Sequence, residues 1–475
     1  MSVPDAGQGE ARGALNRFRQ GFYDCLTRRG NALFDLADAA LCAEGPVRAL
    51  AELSLVSQHR RGHGGLYAAL NQGQVDTEEL GTLLARQPLP RGKKGRLVLA
   101  VDVSPWLRPD ARTSPERLFC HCFSRGMGGS QLIAGWPYSV VAALGSGRSS
   151  WTAPLDAVRL GPTDDAIAVT AAQLRRVLER LIAAGQYRPG DPDIVIVVDA
   201  GYDVTYLAHV LADLPVVLAG RQRSNRVFYH RAPVPGAGRA GRPAKHGAAF
   251  RFRDQASQPD PDEVTTTDTD RYGTLTARAW DQLHQEVTRR SAWAEHEGPL
   301  PVIEGTVIHL APERLPGRRN GEPLWLFATT TGLSADEVNE YWQAFLRRFD
   351  LEHTFRFLKQ TLGWTAPQLR DPHAADRWTW LLLACCTQLR LARGLVADRR
   401  LPWERPLAPE QLTPARVRRG FRHIHHTTCR PAAAPKPSKP GPGRPKGKAN
   451  THPAPHHSVG KTRKKTRKKT TPRST

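Results

Sequence analysis

Two apolar runs of strand length constrain this chain more than any other feature. Residues 97–103 are apolar apart from Asp102 and Ser-free up to Val103, and residues 194–198 are wholly apolar and lead directly into Asp199-Ala200-Gly201. Segments without a polar face belong in a sheet covered on both sides. A charged carboxylate at the end of such a strand is costly unless something compensates it. For either aspartate alone, capping the following turn or helix is explanation enough. Two of them, on strands that can be neighbours in one sheet, invite a shared cation.

The surrounding pattern predicts an α/β fold. A further strand is expected over 133–144 through Trp136 and Tyr138, a helix over 165–184, a helix over 203–213 and a strand over 214–219. Strands alternating with helices point to a mixed sheet. Residues 220–300 break the rhythm with Gly, Pro, Arg and Asp/Thr clusters, and read as an insertion of irregular or β-rich structure. Strands near 301–310 and 323–330 follow, then one long helix over 334–362 and another over 374–395. The expected organisation is a helical N-terminal region over 1–90, a catalytic core over 96–220 and 301–400 interrupted by the insertion at 221–300, an extension over 401–430, and a tail over 431–475.

Leu15, Phe18, Phe22 and Leu26 recur at three- and four-residue intervals, so the N-terminal region is helical. It carries no clear helix-turn-helix, and DNA binding and plain packing both remain open for it. The tail contains 13 Lys/Arg and no acidic residue, so it supplies +13 of the formal +23 charge, and the rest of the chain +10. A polyanionic partner follows from charge of that size on both parts. The Pro/Lys/Gly/Ser composition of the tail cannot bury enough apolar surface to fold, so disorder is expected there. No apolar run reaches membrane-spanning length and no signal peptide opens the chain, which together suggest an intracellular, soluble protein. Seven scattered cysteines do not suit a disulfide scaffold, and Cys120-His121-Cys122 and the run His423, His425, His426, Cys429 lack the paired spacing of a structural zinc site.

The third acidic candidate is Glu352. At about 100° per residue, Phe345, Arg348, Glu352 and Lys359 share one helix face, with Arg356 near the same stripe. Carboxylate, guanidinium and ammonium would then stand together. Trp342, Phe349, Leu351, Phe355, Phe357 and Leu358 in the same segment suggest a substantially buried helix.

Phe345-x2-Arg348-x3-Glu352-x6-Lys359 resembles the Y-x2-R-x3-E-x6-K signature of bacterial insertion-sequence transposases of the DDE class, which have a ribonuclease H-like core. The run from Arg347 to Lys359, together with Asp102-Val103-Ser104, Gly135-Trp136-Pro137-Tyr138 and Asp199-Ala200-Gly201-Tyr202, resembles a subgroup common in actinobacterial genomes. Similarity continues at Leu362-Gly363-Trp364, Asp376-Arg377-Trp378 and 414–420. Phe345 stands where the signature has Tyr, so a hydroxyl is missing.

The resemblance implies an enzyme that cuts DNA strands and transfers them, with Asp102, Asp199 and Glu352 as catalytic metal ligands. Two Mg²⁺ or Mn²⁺ ions would be held, Asp102 bridging them, while Arg348 and Lys359, with Arg356 beside them, meet DNA phosphates. Oxygen-only ligands suit such hard cations. Implied partners are double-stranded DNA, as terminal inverted repeats and target, and a second copy of the chain in a synaptic complex; the implied location is the bacterial cytoplasm, at the nucleoid. The same residues would serve a metal-dependent nuclease that never joins its products, and a non-catalytic DNA-binding relative is the remaining alternative.

Gly443-Arg444-Pro445-Lys446 resembles the core of an AT-hook, with Arg444 and Lys446 as DNA contacts, in a minor groove or on phosphates alone. The Lys/Arg run at 461–469 is electrostatic in character. Gly241-Arg242-Pro243 lies in the insertion, as a DNA contact or a solvated loop. Gly460-Lys461-Thr462 lacks the strand and the first glycine of a P-loop.

Overall fold

The computed structural model of the chain describes residues 6–123, 130–146, 150–233, 244–314, 324–436 and 453–460. Arg444, Lys446, the segment at 241–243 and the basic run at 461–469 lie outside the described residues. In chain order the elements are α1 (Ala6–Asp24), α2 (Gly30–Cys42), α3 (His63–Gln72), α4 (Thr77–Ala85), β1 (Val98–Leu107), β2 (Leu118–Phe123), β3 (Ser130–Leu144), β4 (Thr152–Arg159), α5 (Ala166–Ala183), β5 (Ile194–Val198), α6 (Val204–Val210) and β6 (Val216–Gln222). There follow β7 (Val227–Tyr229), β8 (Ala249–Arg251), β9 (Glu263–Thr269), β10 (Gly273–Gln285), β11 (Glu304–Pro312), β12 (Leu324–Ala328), α7 (Ala335–Arg347), α8 (Phe349–Gln360), α9 (Pro372–Leu391) and α10 (Pro414–Ile424).

The two apolar runs become β1 and β5, and they pair side by side in parallel, Val98 opposite Val195 and Ala100 opposite Val197. On the other side β3 runs antiparallel to β1 along its whole length, and β4 pairs with β3. Beyond β5 lies β6, again parallel. The order β4-β3-β1-β5-β6 is the ribonuclease H-like mixed sheet expected from the sequence. It does not stop there: β12 pairs with β6, and β11, β10, β7 and β8 follow in one continuous sheet, with β9 on β10. The 221–300 segment is therefore β-rich and extends the sheet.

Alternation of side chains along β1 and β5 sorts them into two cores. Leu99, Val101, Ile194, Ile196 and Val198 face a cluster closed by Leu174, Leu178 and Leu181 of α5 and Leu207 of α6. Val98, Ala100, Val195 and Val197 face the opposite cluster, which holds Leu351, Phe355 and Leu358 of α8 and most of α9. Asp102 and Asp199 each lie two residues beyond a member of this second set. They therefore belong to the face that α8 covers.

The N-terminal helices supply much of that second core. Leu15, Phe18 and Phe22 of α1 and Leu33 to Leu41 of α2 pack with α9 and α10 in one cluster. Packing, one of the two readings left open for this region, is thus what its apolar face does. Buried charge ties it together: Arg19 donates to both carboxylate oxygens of Asp38, at 2.8 and 3.0 Å, and His425 Nε2 lies 2.9 Å from the same carboxylate. Parts of the C-terminal stretch are anchored too. Ala432 is buried, Arg60 donates to its carbonyl, and Gly460 bridges Leu118 of β2.

Candidate active site

Register explains why two residues almost a hundred positions apart meet. Continuing the β1–β5 pairing by two residues sets Asp102 opposite Asp199, where β5 ends and β1 runs on paired with β3 alone. Both are partly accessible, with side chains 23% and 40% exposed.

The third carboxylate arrives on α8, and by a route that periodicity did not foresee. The expected single helix over 334–362 is two helices, α7 and α8, joined at Arg348. Around the junction Arg348 N–H bonds to the Phe345 carbonyl and Leu351 N–H to the Arg348 carbonyl, three-residue steps that tighten the turn. Neither Gly nor Pro is present to announce the break. Its effect is to carry the Arg348 side chain, 7% exposed, inward over Asp102, while Glu352 one turn later stays half exposed.

Arg348 then stands among all three carboxylates. It donates to Asp102 at 2.9 Å and lies 3.7 Å from Glu352 and 3.9 Å from Asp199. Its guanidinium also lies over the rings of Phe345, at 5.8 Å, and Phe349, at 5.4 Å. Phe345, buried, thus acts as a platform for Arg348 without the signature hydroxyl. The Val103 N–H donates to Asp102 at 2.8 Å. Burial pushes the Asp102 carboxyl above its ordinary value; Arg348 and that N–H pull it back, and Asp199 and Glu352 push it up further.

The donor set suits a hard cation. Three carboxylates face one guanidinium, so negative charge is in excess, and Asp199 Oδ1 is buried without a hydrogen-bond partner. Among the described residues no three His, Cys, Asp or Glu side chains are grouped at metal-holding distance. At this site the guanidinium occupies the middle of the group, so a cation would have to take its place.

With Asp102 and Asp199 side by side and Glu352 brought over them on α8, the decisive comparison is that of the chain with family models. The model described as DDE superfamily endonuclease matches residues 21–286, more than half of the chain. The chain belongs to the DDE superfamily endonucleases. No curated protein matches it. The family match takes in Asp102 and Asp199 and ends before Glu352.

The remaining candidates lie further out. Arg356 is exposed on α8. Lys359 does not join the carboxylates: its ammonium lies 5.7 Å from the centre of the Trp364 ring, and burial lowers its affinity for a proton while the neighbouring Cys122 and Cys120 raise it. Trp364 and Trp378 are core residues. Sequence reasoning passed over Tyr202, whose hydroxyl is buried without a hydrogen-bond partner; burial, and then the charges of Asp102 and Asp199, push its proton loss far up, so it stays a donor. Its signal in the sequence was the run Asp199-Ala200-Gly201-Tyr202, where it stands three residues after Asp199 without an assigned role. No helix of the described residues is long and apolar enough to cross a membrane.

Proposed function

We propose that this endonuclease is the transposase of an insertion sequence, cutting DNA and transferring the cut strand, with Asp102, Asp199 and Glu352 as ligands of divalent cations, Mg²⁺ or Mn²⁺. The observation that carries the reading is the convergence of three carboxylates, from β1, β5 and α8, on one guanidinium within 4 Å. Two such ions, when bound, would activate the attacking oxygen and stabilise the leaving one in an in-line displacement at phosphorus.

The chain's own groups do the rest. Asp102 and Asp199 are fixed by strand register and Glu352 by the seating of α8. Arg348, held between Phe345 and Phe349, exchanges its carboxylates for a phosphate oxygen, the partner guanidinium groups favour next. Tyr202, neutral and unpartnered, offers a hydroxyl to the same phosphate. Water is the nucleophile for cutting, and a 3′-hydroxyl for joining. Arg348, Lys359 and Arg356, with Arg444 and Lys446 in the tail, provide the DNA contacts, and two copies of the chain hold the two element ends together.

The test pairs binding with cutting on labelled DNA taken from the flanks of the gene. Asp102→Asn, Asp199→Asn and Glu352→Gln are each expected to bind the DNA and fail to cut or join it in Mg²⁺, while wild type does both. Folded variants that cut like wild type would remove the three residues from catalysis. Wild type that cuts without ever making new joints would be a nuclease, and wild type that binds but never cuts would be an architectural protein.

A further inference from the structure

We infer that a four-arginine cleft beside the carboxylates is a second DNA site, which holds the phosphate backbone of the strand as it leaves the scissile position. The cleft, of about 420 Å³, begins at Ala200, the residue after Asp199, and runs past Tyr202 between the end of β6 and the segment after β10. Arg221, Arg223, Arg226 and Arg290 line it, and all four are exposed. Three of them come from the end of β6 and the β6–β7 connection. The fourth comes from a segment more than sixty positions away in the chain, brought there by the pairing of β10 with β7.

An exposed arginine is by itself a solvated charge. What sets these four apart is that they converge on one cleft from two distant segments of the chain, and none has an ion-pair partner among the described residues. Two carboxylates line the cleft. Asp203 is engaged in capping α6, accepting from the Tyr206 N–H and the Thr205 hydroxyl, and only Glu286 offsets the arginines freely. Four forked cations in a polar cleft match a row of phosphates, each able to take two parallel hydrogen bonds. Position identifies the strand: the cleft and the carboxylates share the loop from Asp199 to Asp203, so a backbone crossing one enters the other. Only the identity of the strand rests on the DNA-cutting reading; the affinity for DNA phosphates does not.

The test measures how the affinity of the full chain for a short labelled DNA duplex depends on salt. The variant carries Arg221→Gln, Arg223→Gln, Arg226→Gln and Arg290→Gln. A control of equal charge change carries Arg12→Gln, Arg17→Gln, Arg48→Gln and Arg188→Gln, at exposed positions away from the cleft. Each phosphate contact adds about 0.9 to the slope of log K against log salt, so the cleft variant is expected to lose up to about 3.6 from the slope and the control almost nothing. The paired variants Arg221→Gln with Arg223→Gln, and Arg226→Gln with Arg290→Gln, are each expected to lose about half as much, and serve if the fourfold variant misfolds. An unchanged slope, or equal losses in cleft variant and control, overturns the inference. A normal loss of slope in a wild-type background that never cuts DNA would instead leave the cleft standing and sink the catalytic reading.

Discussion

Arg348→Met is the substitution that bears most directly on how the acidic site is balanced. It keeps the length and the contact with Phe345 and Phe349 but removes the one cation among three carboxylates. Removing one partner of a buried ion pair costs about 3–5 kcal/mol. Asp102 is 23% exposed, and Asp199 and Glu352 are more open, so their longer contacts count as surface pairs of about 0–1 kcal/mol each. The total is about 3 kcal/mol, lost in the presence of EDTA. Adding Ca²⁺ should recover much of it, because a cation at a hundred times its dissociation constant stabilises by about 2.7 kcal/mol. In wild type the guanidinium competes for the same oxygens, so Ca²⁺ should stabilise less. Thermal melting of both proteins, with EDTA and across a Ca²⁺ titration, reads the difference without any turnover. Equal melting in EDTA, or the same Ca²⁺ response in both proteins, would refute the idea that Arg348 holds the place of a cation.

Two further outcomes follow from the packing that seats α8 and the helical region. Asp38 is raised by burial but pulled down to about 2 by Arg19 and His425, below its ordinary 3.8; the stability it contributes is full above about 4 and is lost as pH falls towards 2, about 2 kcal/mol in all. Asp38→Asn should therefore flatten the pH dependence of urea unfolding across that window, and an equally steep loss in the variant would place the acid sensitivity elsewhere. Gly363 has φ +69°, and a side chain there would meet the Val47 carbonyl at 2.6 Å, so Gly363→Ala should cost more than about 1 kcal/mol. A melting temperature equal to that of wild type would contradict this.

β1 and β5 were legible because a parallel strand buried on both faces leaves an apolar run, in which Asp102, and Asp199 just after the second run, stand out as polar. Residues 194–198 were read with the bounds that β5 has. Glu352 was legible through the spacing of its neighbours, but the geometry that brings Arg348 to it was not. A helical wheel assumes one axis, and here the axis changes at Arg348 itself, in a run with no helix breaker. The cause is tertiary: α8 must lay Leu351, Phe355 and Leu358 on the sheet while α7 buries Val338, Tyr341 and Trp342. The arginine cleft was illegible for a similar reason. Arg290 joins the other three only through the pairing of β10 with β7, and no local pattern encodes that.

The role of the helical region follows from what α8 needs. A helix of 12 residues is marginal alone and takes its stability from the surfaces it packs on. Its C-terminal end is held by the N-terminal region: the Val47 N–H donates to the Thr361 carbonyl at 3.1 Å, and Gly363 lies against Val47. Midway along it the Thr354 hydroxyl bonds with that of Thr152, beside β3. Glu352 is thus positioned from two sides, by the sheet and by residues that precede it. The family match begins at residue 21, inside α1, and so includes the helical region with the strands that carry Asp102 and Asp199. That is the pattern of a scaffold for the helix that carries Glu352.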